Sequence, residues 1–145
     1  AFPDKKPFQI MAMIGWHRQR SIAVCDAKVK QGGASVYNAW FNWEAPLHDG
    51  FQTAFHPGYP CFWFYNTDLM YTFTGGGPRP RALAEKTAKS LIQFMKTGNP
   101  NGGGLPDWPE YTSEKGEVMI LDDKSRVAND PDREARKTLP EYIDN

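Results

Sequence analysis

Residues 54–66, Ala54-Phe55-His56-Pro57-Gly58-Tyr59-Pro60-Cys61-Phe62-Trp63-Phe64-Tyr65-Asn66, set one histidine in a Pro/Gly turn beside a dense aromatic run. Histidine takes and returns a proton near neutrality because its unperturbed pKa is about 6.5. Held by a turn against an apolar wall, His56 is a candidate general base and acid. A loop histidine taken alone is more often structural. What makes it a catalyst is a nucleophile within reach and a third group that orients the ring.

The chain does not supply that nucleophile in recognisable form. A nucleophile elbow needs Gly-x-Ser-x-Gly on a strand-to-helix turn, and the pentapeptide is absent. Its nearest approach, Gly32-Gly33-Ala34-Ser35-Val36, lacks the second glycine and precedes a strand, so Ser35 is not expected to attack anything. Gly75-Gly76-Gly77 and Gly102-Gly103-Gly104 lack the lysine and hydroxyl residue of a phosphate loop and are read as plain loops. His17, His48 and His56 show neither helical ligand spacing nor a nearby cysteine pair, so no metal and no cofactor are expected. The aromatic block Trp40, Phe41, Trp43, Phe51, Phe55, Phe62, Trp63, Phe64 and Tyr65 is read mainly as core or interface, because such rings bury large areas.

At 145 residues the chain fits one domain with an ordinary core. Seventeen Lys+Arg balance seventeen Asp+Glu, which gives no basic footprint for a nucleic acid and no charged tail for a membrane surface. The longest apolar run falls far short of the roughly 20 residues that span a bilayer. A soluble chain is expected, with a secreted or periplasmic placement left open. The opening Ala1-Phe2-Pro3-Asp4-Lys5-Lys6 has no signal-peptide shape and no initiator methionine, and it reads as a mature form or an excised piece. Two cysteines, Cys25 and Cys61, allow at most one disulfide and fix no compartment; Cys25 is read as a small buried hydrophobe.

The elements that must hold the histidine follow from periodicity and breakers. Met11, Ile14, Ile22, Cys25 and Val29 predict a helix over 8–31, stopped by Gly32-Gly33. Residues 34–43 are rich in β-formers and predict a strand, followed by a loop over 44–50. A helix over 80–97 is predicted from Ala84, Ala88, Leu91, Ile92 and Met95, with Gly98 as its stop. A Pro/Gly loop over 99–114 carries Trp108 and Tyr111, and a strand follows over 117–121. Asp130-Pro131 reads as an N-cap before a last helix reaching about Thr138. Two strands make a marginal sheet, so the expected class is α/β, as part of a larger fold that is incomplete on its own. A helix, a strand, a loop, then a histidine with an aromatic segment is the order expected of the C-terminal part of an α/β-hydrolase fold, whose triad histidine comes last in the chain.

Several phrases carry a resemblance. Gln31 to Pro46, Ala54-Phe55-His56 through Leu69, Lys96 to Asn101 with Leu105 to Tyr111, and Val118 to Asp122 together resemble, in order, signatures of the type-B carboxylesterases, the group containing para-nitrobenzyl esterases and cholinesterases. The resemblance implies that 1–145 is a C-terminal segment of such a hydrolase, a serine enzyme acting on small-molecule carboxylic esters, with His56 as its triad histidine. It also implies that the serine, the oxyanion-hole glycines and the triad acid lie upstream, and that the upstream portion is the partner this chain needs. The family usually carries Asp or Glu three residues after the histidine, where this chain has Tyr59. A carboxylate there would raise the histidine pKa, whereas tyrosine offers only a neutral hydrogen bond. The alternative expectation is a non-catalytic binding or adhesion member of the same fold.

Overall fold

The computed structural model describes residues 10, 16–46, 50, 54 and 58–138. Three strands form a mixed sheet in the order β1-β2-β3: β1 (Ala39–Phe41), β2 (Glu117–Leu121) and β3 (Arg126–Asn129). β1 runs parallel to β2 with Ala39 opposite Met119 and Phe41 opposite Leu121, and β3 returns antiparallel with Met119 opposite Val127. β2 is buried along its whole length, as the unbroken run Val118-Met119-Ile120-Leu121 requires of a central strand covered on both sides. The buried carboxylate of Glu117 accepts hydrogen bonds from the backbone N–H and the hydroxyl of Thr112, both at 2.8 Å.

Adjacent strand residues face opposite sides, which sorts the helices. On the Trp40 face lies α1 (Trp16–Gln31), whose Arg18 guanidinium sits 4.5 Å from the Trp40 ring centroid. Asp26 of α1 accepts from the Tyr111 hydroxyl at 2.8 Å. On the Phe41 face lie the short α2 (Pro60–Trp63) and the long α4 (Pro78–Thr97). A 3-10 turn (Thr67–Met70) and α3 (Tyr71–Thr74) join them. Trp43, Cys61, Phe62, Leu83 and Ala84 form one core cluster there, and Trp108, Met119 and Leu121 form another; Phe41 packs against both. A last short helix, α5 (Arg133–Arg136), follows β3. Among the described residues no helix is long and apolar enough to cross a membrane.

The helix expected over 8–31 is described over Trp16–Gln31, and Met11 and Ile14 lie outside the described residues. Its stop is the expected one: Gly32 turns to φ +73° and donates to the Lys28 and Val29 carbonyls. The strand expected over 34–43 shrinks to Ala39–Phe41, because its partner β2 is only five residues long. Upstream of it, the Val36 carbonyl accepts from Tyr111 N–H instead. The long helix begins two residues early, at Pro78, since prolines in a first turn give up no helical hydrogen bond.

Its buried stripe is also rotated from the expected one. Leu83, Ala84, Thr87 and Ser90 are buried, while Ile92 and Met95 are 46 % and 68 % exposed. Thr87 explains the shift, because its hydroxyl donates to the Phe62 carbonyl of α2 at 2.8 Å and so can be buried without penalty. The sequence reading missed β3, whose Arg126-Val127-Ala128-Asn129 has a single strongly β-forming residue. Asp130 is not an N-cap: it sits at φ +40°, Asp132 takes the cap position, and neither carboxylate caps the helix.

Candidate active site

His56, the residue singled out from the sequence, lies outside the described residues, as do His48, Phe51 and Phe55. The structure does describe the frame on which its loop is strung. The loop leaves after the C-terminal end of β1 and returns at Gly58, which is buried. From there α2 is fastened directly beneath. The Cys61 thiol donates to the Gly58 carbonyl at 3.1 Å, and Phe62 N–H donates to the Tyr59 carbonyl at 3.1 Å. Burial pushes the Cys61 thiol up, which keeps it protonated and able to donate.

Three ring contacts then tie this return point to the end of β1. Phe62 lies 5.0 Å from Phe41 and 5.1 Å from Trp43, centroid to centroid, and Tyr59 lies 6.3 Å from Phe41. Tyr59 therefore serves as an aromatic anchor on the sheet edge. Arg79 from the start of α4 covers the other side of Trp43 at 4.2 Å and pairs with Asp123 in the β2–β3 turn. Asn42, next after β1, donates to the Asp122 carboxylate at 2.7 Å. The C-terminal ends of the two parallel strands are thus cross-braced where open α/β sheets hold their sites.

The remaining candidates separate by geometry. Ser35 is exposed and donates to Glu110 at 2.7 Å. His17 is exposed on α1. Among the described residues no group of three metal-ligating side chains comes together. Of the aromatic block, Trp43 and Phe62 are core, whereas Phe64 and Tyr65 are 72 % and 50 % exposed.

Sequence reasoning missed a cavity of about 240 Å³ between β1 and α4, lined among others by Tyr37, Ala39, Trp63, Leu91, Phe94 and Trp108. Ser90 and Trp108 are among its lining residues, while Ser90 Oγ and Trp108 Nε1 themselves are buried with no hydrogen-bond partner. The signal was present in the helical spacing of Ser90, Leu91 and Phe94. Ser90 is polar, and a hydrophobic count passes over it.

No family model matches the chain. It is 31% identical over 119 residues to the para-nitrobenzyl esterase of Bacillus subtilis, covering 81% of this chain and 24% of that protein. Among solved structures it is similar to an esterase from Clostridium hathewayi described as hydrolysing aliphatic aromatic polyesters. There the TM-score is 0.75 and the identity 26%, over 94% of this chain and 26% of that one. A carboxylesterase of Geobacillus stearothermophilus gives a TM-score of 0.74 at 29% identity, over 94% of this chain and 29% of that one. The chain spans about a quarter of the length of the relatives it matches. With esterases matched in sequence and in fold, the chain is a homologue of para-nitrobenzyl esterases and carboxylesterases, and its sheet is part of an α/β-hydrolase fold.

Proposed function

We propose that the chain is the C-terminal segment of a carboxylic ester hydrolase and that His56 is its general base and acid. The observation that carries this reading is positional. The loop bearing His56 follows the C-terminal end of a strand in a parallel pair, and the residues at its return are fastened to that strand by Cys61, Phe62 and Tyr59. In the reaction, a serine hydroxyl from the upstream portion attacks the ester carbonyl while His56 accepts its proton. The tetrahedral intermediate collapses, and the departing alkoxide takes that proton as the acyl–serine bond is retained. Water then attacks the acyl group, giving its proton to His56, and the serine leaves with that proton as the carboxylic acid is released.

The chain alone is expected to show no hydrolysis of a short p-nitrophenyl ester above buffer. Combined with its upstream portion it should hydrolyse the ester, and His56→Ala should then lower the rate by about 10²- to 10⁴-fold. Undiminished activity in the variant removes the assignment. An upstream portion without Gly-x-Ser-x-Gly turns the reading to a binding member of the fold.

A further inference from the structure

The loop after α4 is closed by a side chain that imitates a neighbouring strand. Asn101 Oδ1 accepts from the Trp108 main-chain N–H at 2.7 Å, and Asn101 Nδ2 donates to the Trp108 carbonyl at 2.9 Å. Nδ2 also donates to Asn99 Oδ1 at 2.8 Å, an oxygen that takes the Asn101 main-chain N–H as well, at 2.9 Å. Asn99 is held in turn by the last residue of α4, the Thr97 hydroxyl accepting from Asn99 N–H at 3.1 Å. Both hydrogens and the oxygen of the Asn101 amide are therefore engaged. The clasp secures Trp108, which is buried and packs with Met119 and Leu121 of β2.

The same turn contains a chemical weakness. Gly102, next after Asn101, stands at φ +92°, where an L side chain is strained, so the turn that closes the clasp selects glycine there. A glycine after asparagine puts no side chain in the way of attack by its own main-chain nitrogen on the asparagine amide carbon. In that reaction Gly102 N bonds to Asn101 Cγ and gives up its proton, and the side-chain nitrogen leaves with that proton as ammonia. Water then opens the five-membered imide at one of its two carbonyls and leaves aspartate or isoaspartate. Water is the sole co-reactant. While the clasp is shut this chemistry is opposed, because bringing Cγ onto Gly102 N draws the amide away from Trp108 and Asn99 together.

We propose that Asn101 is a deamidation site gated by opening of the loop over 99–108, and that the reaction bars the loop from closing again. Aspartate at this position has no hydrogen to donate, so the Trp108 carbonyl and Asn99 Oδ1 would each face a carboxylate oxygen where they now meet an N–H. Isoaspartate presents a carboxylate too, on a lengthened main chain. Either product turns a reversible opening into a permanent one and removes the anchor that holds Trp108 against β2. The site is independent of ester hydrolysis.

The test incubates the chain in mildly alkaline buffer, with and without guanidinium chloride, and follows Asn101 by peptide mapping and mass spectrometry. Amide hydrogen exchange reports on the Trp108 main-chain N–H. The unfolded chain should deamidate at Asn101, and the folded chain should do so about tenfold or more slowly, with the Trp108 amide protected. Asn99→Ala removes the acceptor shared by the main-chain and side-chain N–H groups of Asn101. It should raise the folded rate about three- to tenfold and leave the unfolded rate unchanged. Asn101→Asp, which carries the product, should speed Trp108 amide exchange by about tenfold or more. The Met119 amide, bonded to the Asn38 carbonyl at 2.9 Å, should stay protected in that variant. Equal rates in the folded and unfolded chain, no deamidation of the unfolded chain, or a folded rate indifferent to Asn99→Ala removes the gated site. A Trp108 amide unprotected in the parent, or as well protected in Asn101→Asp as in the parent, removes the one-way step.

Discussion

Tyr65 stands in the left-handed region at φ +54°, one of two described residues other than glycine with positive φ. An L side chain there costs roughly 1–2 kcal/mol, and with half its surface exposed the ring recovers little of that by burial. Tyr65→Gly should therefore raise stability by about 0.5–1 kcal/mol in urea unfolding, the gain being trimmed by the extra freedom glycine gives the unfolded chain. Tyr59, four residues after the loop begins to carry aromatics at Phe55, shows what was legible at this scale. Its departure from the family pattern is visible in the sequence, but its packing on Phe41 depends on α2 folding back onto β1. Thr87 was illegible for a different reason. A buried hydroxyl is acceptable only once its acceptor is known, and the Phe62 carbonyl lies 25 residues away.

Among the elements, α4 is the one the sequence defines most sharply at its ends and least well on its faces. Gly98 is a local signal that acts where expected, and Pro78 opens the helix two residues ahead of the expected start. The buried face depends on what the helix meets, which includes the loop at Gly103. A Cβ on Gly103 would lie 2.6 Å from the backbone nitrogen of Ser90, so this loop rests on the helix main chain itself. Gly103→Ala should cost about 1–3 kcal/mol in chemical denaturation, because no side-chain rotation can relieve a contact with backbone. β3 escaped notice for a related reason. Its pairing energy comes from β2, and four residues of mixed polarity announce little alone.

Across the whole molecule, charge does what the balanced composition conceals. The Asp132 side chain is fully buried and is held by Arg18 from α1 at 2.9 Å and by Arg136. Asp130 beside it pairs with Arg133 at 2.7 Å and with Arg136 at 2.5 Å. Burial alone would raise the Asp130 carboxyl, but the two arginines more than offset it and hold it below the ordinary value of 3.8. A depressed carboxyl stabilises the fold above its unfolded pKa, and that stability is lost as pH falls through the folded value. Asp130→Asn, which tolerates the same positive φ, should therefore cost about 1–3 kcal/mol at pH 7. The difference from the parent should close below about pH 4 when the two are compared by urea unfolding across pH.

The Arg18–Asp132 bond also has a bearing on time. Its partners are 114 residues apart in sequence. Closing a flexible loop of that length costs about 4 kcal/mol of chain entropy. The β2–β3 hairpin and the contacts of α2 with α4 join near neighbours and carry no such burden. They are therefore expected to form first, with α1 locking late. Until residues 130–136 have arrived, the Trp40 side of the sheet remains open, so a nascent or clipped chain ending before that point would hold its first helix only loosely.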